Sequence, residues 1–172
     1  MAKHDHWSPF GHASLQFHIK APVFVARQLV KHQVGLTWNE VSRRYVDIEP
    51  EFYAPEVWRG VAENKKQGSS EEEININPRN DMVDDYQKVL STAKWTYEEL
   101  LRKGVCPEQA RMVLPQSMMT EWYWSGTLYA FARVCNLRCK DDAQKETQEV
   151  GWNIDRHARK LFPASWLALR NA

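Results

Sequence analysis

The sequence predicts an α+β protein folded as one unit, and three observations carry that prediction. Residues 13–20 (ASLQFHIK) alternate, with Leu15, Phe17 and Ile19 on one face and Gln16, His18 and Lys20 on the other, the pattern of a half-buried strand. From Asp81 to Arg102, the apolar positions Met82, Tyr86, Val89, Ala93, Tyr97, Leu100 and Leu101 recur at helical spacing, and Gly104 follows as a stop. Residues 117–124 (SMMTEWYW) read again as a strand, after which Gly126 leads into a helix carrying LYAFARVCNLR.

The remaining elements fall between these. Ala21-Pro22 opens a helix, because proline is at home at a first helical position. Along it Val25, Ala26, Leu29 and Val30 share one arc, while Arg27, Gln28, Lys31 and His32 lie outside that arc. Gly35 and Thr37 interrupt the pattern, so 34–45 reads as a loop with a short ordered turn. Residues 46–80 contain Pro50, Pro55, Pro78 and the polar run Gly68–Glu73, and read as surface loop with a short helix, 64–75 being the most mobile part. Pro107 starts a short helix through Val113 that Leu114-Pro115 ends, and a last helix covers 142–161 with Pro163 after it. Neither an internal repeat nor a linker divides the chain, so 1–172 is expected to be one domain.

At 172 residues, 43% apolar and 26% charged, the chain can bury roughly 70% of its unfolded surface. The formal charge is +1, which argues against a global electrostatic grip on nucleic acid or membrane but leaves room for a local basic pocket. No apolar run approaches the ~18 residues of a membrane span. The three cysteines (Cys106, Cys135, Cys139) match no disulfide framework, and a reducing, cytoplasmic setting is expected. Cys135 and Cys139 lie on an apolar helical stretch and read as packing rather than as nucleophiles. His4, His6 and His12 lack the ligand spacing of a lasting metal site, so no metal is expected and one histidine near a ligand is the better reading.

Two stretches carry the chemistry. Residues 27–45 combine Arg27, Lys31, Arg43 and Arg44 with Gln28, Gln33, Asn39, Ser42 and Tyr45. Cations neutralise phosphate, while amides and hydroxyls supply the directional donors and acceptors that read a base. A phosphorylated, nucleotide-sized ligand suits that set better than a merely solvated face. The second stretch, 111–138, holds Arg111, Tyr129, Arg133, Asn136 and Arg138, with Tyr129 and Arg133 on one helical face. Cations beside aromatic rings suit a phosphate attached to a stacking ring.

Six segments in order give these stretches a resemblance: HWSPFGH, KAPVFVARQLVKHQ, NEVSRRY, ARMVLP, WYWSGTLYAFARVCNLR and DAQKETQ. Together they resemble the flavin-dependent thymidylate synthases over nearly the whole chain. The resemblance implies an antiparallel sheet packed with helices. It also implies a homotetramer whose active sites form between subunits, holding FAD against dUMP. The family transfers the methylene of methylenetetrahydrofolate to dUMP, with NADPH as reductant, yielding dTMP. Carried over by position, Ser8, Lys31, His32, Gln33, Glu40, Thr127, Leu128, Tyr129 and Arg133 match flavin-contacting positions, with His6 near the flavin ring. Gln28, Leu29, Val30, Lys31, Glu40, Val41, Ser42, Arg43, Arg44 and Arg111 match the dUMP-binding stretches. Arg138 matches the arginine that favours ionisation of the uracil ring, as a neighbouring cation should.

The chain departs from the family in two places. Lys31-His32-Gln33 stands where the family has arginine on both sides of the histidine, which removes planar bidentate donors. Family members also carry a strand and a helix ahead of the HWSPF region, and these are expected to be absent here. An inactive FAD- and nucleotide-binding remnant of the same family is the alternative. A nucleic-acid-binding module is the rival from another class, and the charge balance opposes it.

Overall fold

The computed structural model describes residues 1–45, 49–63, 68–74 and 81–171. In chain order the elements are β1 (Ser14–Pro22), α1 (Val23–Leu29), β2 (Leu36–Glu40), β3 (Arg59–Val61), β4 (Ser69–Glu73) and α2 (Asp81–Arg102). They continue with α3 (Pro107–Ala110), β5 (Met119–Thr127), α4 (Leu128–Arg138), α5 (Lys145–Leu161) and α6 (Pro163–Arg170). None of the described helices is long and apolar enough to cross a membrane.

The sheet has the order β1-β5-β2, both pairs antiparallel. Alternation decides its two faces. Leu15, Phe17 and Ile19 of β1 meet Trp122 and Trp124 of β5 on the inner side, whereas Gln16, His18 and Lys20 face outward beside Glu121 and Tyr123. Trp122, Trp124, Phe131, Leu29 and Val25 are fully buried. The inner face is an aromatic lattice: Trp38 stacks on Trp122 at 4.4 Å, and Phe131 meets Phe17 and Trp124 edge-on at 5.0 and 5.4 Å. Such offset and edge contacts add about 0.5–1.5 kcal/mol each to the area they bury.

Strand β2 corrects the expected loop at 34–45. Its five residues are rich in polar side chains, yet Leu36 and Trp38 alternate inward, and Trp38 finds Trp122 across the strand. Gly126 lets this strand close on β5, because a Cβ there would stand 2.5 Å from the Gly35 carbonyl oxygen. Gly35 itself turns the chain with φ of 75°.

The described part of 46–80 contains no helix, which corrects the expected short one; it forms the antiparallel ribbon β3–β4 instead. Residues 46–48, 64–67 and 75–80 of that stretch, including part of the segment expected to be mobile, lie outside the described residues. Helix α2 has the bounds its periodicity predicts. It meets the segment leading into the ribbon through a Tyr86–Trp58 edge contact at 5.4 Å and a Tyr86 hydroxyl donating to the Tyr53 carbonyl at 2.7 Å.

Strand β5 covers Met119–Thr127, shifted past the expected 117–124, and α4 is the LYAFARVCNLR segment expected to be helical after Gly126. The Thr127 hydroxyl accepts from the Ala130 N–H at 3.1 Å, an N-cap worth about 1 kcal/mol. Pro163 does not end the helical region. It occupies the first turn of α6, where its missing N–H costs nothing. Asp155 of α5 ties the last helices together, accepting from Trp166 Nε1 at 3.0 Å and Arg170 Nε at 2.7 Å, and Arg170 also donates to Asn136 of α4.

Candidate active site

Three concavities collect the side chains that the sequence singled out. The first, about 590 Å³, is lined by Gln28 and Lys31 from α1 and its turn, Arg138 at the end of α4, Gln144, and Arg59 and Ser69 of the ribbon. The second, about 720 Å³, lies beyond the end of β2 and gathers Glu40, Val41, Ser42, Arg43, Arg44 and Arg111. The third, about 310 Å³, is a groove between the N-terminal segment and α4, with His6, Trp7, Tyr129 and Arg133 on its walls.

In the first cleft the geometry is tightly held. Arg138 Nε donates to His32 Nε2 at 2.9 Å, which requires that nitrogen to be unprotonated. Burial, then the charges of Arg138 and Arg133, push the His32 pKa down to about 4, so the ring stays a neutral acceptor at physiological pH. Burial also lowers the Arg138 pKa, without threatening its charge at pH 7. Gln28 donates to Gln144 Oε1 and accepts from the Thr147 hydroxyl at 3.3 Å, so its amide orientation is set from α5.

The second cleft is looser. Glu40 is anchored by the Thr120 hydroxyl at 2.8 Å and by Trp38 Nε1 at 3.4 Å. Beyond it, Ser42 Oγ accepts from Arg44 N at 3.3 Å and Arg44 Nε at 3.2 Å. The Arg44 guanidinium lies 5.1 Å from the centre of the exposed Tyr45 ring, and Arg111 is exposed. These cations stand in solvent with mostly local partners.

In the groove, the Tyr129 hydroxyl donates to Asp5 Oδ1 at 3.1 Å, and Trp7 sits 6.1 Å from the Tyr129 ring. Ser8 belongs to the short 3-10 turn that leads to this groove. Leu29 and Leu128 are core residues, with 0% and 1% exposure, so their side chains face the interior and only their main chain is open to a ligand. Val30 is half-buried, and Gln33 is exposed.

The structure thus unites 40–44 with Arg111, and Gln28 and Lys31 with Arg138, while those two groups line separate clefts of one chain. Sequence reasoning missed Arg59, Gln144 and Glu146. The last two stand in the DAQKETQ segment, whose helical position hid that it begins beside Gln28; Arg59 lay in a stretch without periodicity. Cys135 and Cys139 are buried, and the hydrogen bond with the Cys139 thiol, then burial, raise the Cys135 pKa, as suits packing.

The arrangement defines the class first. The fold matches a crystal structure of a UMP/dUMP methylase from Streptomyces cacaoi bound with 5-Br dUMP, with TM-score 0.84 and 27% identity over 97% of this chain and 74% of that one. Residues 1–164 match the family model of the thymidylate synthase complementing protein, and the chain belongs to that family. A flavin-dependent thymidylate synthase of Thermosipho africanus is 36% identical over 90% of this chain and 67% of its own length. Another, of Thermus thermophilus, is 36% identical over 98% of this chain and 60% of its own length. The chain therefore spans about 60–67% of these curated relatives.

Proposed function

We propose that this protein is an FAD-dependent thymidylate synthase that methylates dUMP to dTMP, with methylenetetrahydrofolate as carbon donor and NADPH as reductant. The supporting observation is the neutral His32 holding Arg138 at 2.9 Å beside Gln28 and Lys31, in a chain of this family. In this reading Ser42, Arg43, Arg44 and Arg111 hold the dUMP phosphate, with Glu40 and Val41 shaping the nucleotide stretch. Gln28 presents an amide to the uracil edge. Its orientation is fixed before binding, so little freedom is lost on complex formation.

The residues present suit FAD by the chemistry of their donors. Lys31, Gln33 and Arg133 offer cations and amide donors for the diphosphate, while Trp7, Tyr129 and His6 line a groove with aromatic surface. Ser8, Thr127 and the main chain at Leu128 complete that set. FAD, when bound, supplies the hydride chemistry. Arg138 provides a positive charge where the uracil ring develops negative charge, and His32 keeps that guanidinium oriented without adding a like charge. No thiol takes part in this reading; Cys135 and Cys139 are buried, and Cys106, which is exposed, lines none of the three clefts.

The two clefts become one site in a homotetramer whose subunits share active sites, working in the cytoplasm. The test is turnover: enzyme loaded with FAD, given NADPH, methylenetetrahydrofolate and dUMP, should form dTMP and take up deuterium from reduced flavin or solvent. Binding of FAD and dUMP with no dTMP would replace this reading by an inactive remnant, which Lys31 and Gln33 in place of arginines would explain.

A further inference from the structure

The cleft at Arg138 contains a third cation that the family resemblance does not supply. Arg59, from β3, lines it with Lys31 and Arg138, and no carboxylate stands among the described lining residues. Two hydrogen bonds fix the Arg59 guanidinium: Nε donates to Ser69 Oγ at 2.7 Å, and Nη2 to Glu146 Oε1 at 2.6 Å. Its Nη1 donates to none of the described residues. Glu146 is 8% exposed, and its other oxygen accepts from Gln144 Nε2 at 3.0 Å. Gln144 in turn accepts from Gln28. One buried carboxylate in the first turn of α5 therefore sets both a cation and an amide on the cleft wall. Burial works against its charge, but the bonds from Arg59, its own backbone N–H and Gln144 outweigh it, and the Glu146 pKa lies below the ordinary carboxylate value.

A buried ion pair of this kind could simply staple the ribbon to α5. Its setting argues for more. An arginine held by two fixed bonds, in a cleft with two further cations, presents a preorganised donor to an anion. We propose that Arg59 contacts a phosphate group of the ligand bound in this cleft and that Glu146 is the positioning residue which holds Arg59 and, through Gln144, Gln28. This rests on the reading that the cleft takes a phosphorylated nucleotide or cofactor.

The test is calorimetric titration of the full chain with two ligand pairs, dUMP against deoxyuridine and FAD against riboflavin. Arg59→Ala should weaken the phosphate-bearing member of one pair roughly ten- to hundredfold, with its unphosphorylated member changed less than twofold. Which pair responds identifies the phosphate as that of the substrate or of the cofactor. Glu146→Gln should weaken the same ligand, and in an Arg59→Ala background should add less than twofold. Full additivity of the two substitutions would remove the positioning role of Glu146. Should Arg59→Ala fail to fold, Arg59→Lys keeps the charge without the fork and should still weaken the ligand several-fold. If both Arg59 variants bind dUMP and FAD as wild type does, while Arg44→Ala loses dUMP, Arg59 is only a staple and the functional reading survives. Wild-type protein that binds neither ligand overturns both.

Discussion

The clefts at Arg138 and at Arg44 hold the same kind of cation in opposite mechanical states. Arg138 sits at the end of a helix buried on most of its circumference and is held by a neutral imidazole; its neighbour Gln28 is braced by Gln144 and Thr147. Arg44 stands exposed past the end of β2, with Ser42 and Tyr45 as its partners. In the first case the protein bears the ordering cost during folding. In the second that cost falls on binding, so whatever binds there must supply the order. In the proposed function, the contrast suits a site whose ring-directed groups need fixed geometry and whose phosphate-directed groups need mainly charge.

The contrast can be broken from below by removing the support of the ordered cleft. Asp155→Ala leaves Arg170, which also holds Asn136 of α4, without its buried carboxylate. A loss of about 3 kcal/mol in chemical denaturation is expected, together with weakened order around Arg138. A variant as stable as wild type would show that α6 does not brace this cleft. Arg138→Ala should lower turnover about a hundredfold or more while changing flavin affinity far less, as measured by steady-state rates and FAD titration. Equal losses in both would place Arg138 in flavin binding instead.

Arg44→Ala should weaken dUMP about tenfold, with kcat nearly preserved once substrate saturates; a loss confined to kcat would contradict a phosphate role. The smallest effect concerns pH. His32 titrates near 4 in the folded chain and near its ordinary value when unfolded, so the unfolded state binds the extra proton first. Its contribution to stability is therefore full above about 6.5 and declines as pH falls from there to about 4. His32→Gln should flatten that part of the stability–pH curve, and an unchanged slope would mean that the ring is not held neutral.

Much of the architecture was legible where burial imposes a simple period. The alternation at 13–20 and the helical spacing at 81–102 each answer to one face against one core, and both became the expected elements. Strand β2 was hidden because an edge strand of five residues needs only Leu36 and Trp38 inward, and its polar remainder looks like a loop. Helix α6 was hidden because Pro163 reads equally as an end or as a beginning, and the choice depends on Trp166 reaching Asp155. Within the site, residue types at 27–45 and 127–138 were informative because phosphate and aromatic ligands demand particular donors. Arg59 carried no such mark.

By itself, the chain's order of residues determined the α+β class, the family and the stretches that bear the chemistry, since periodicity and donor type are local properties. The tertiary structure alone decided which cations share a cleft, that His32 is a neutral acceptor, and that Glu146 reaches across 87 positions to hold Arg59. Those outcomes depend on desolvation and on distances between segments far apart in sequence, and neither exists until the chain has folded.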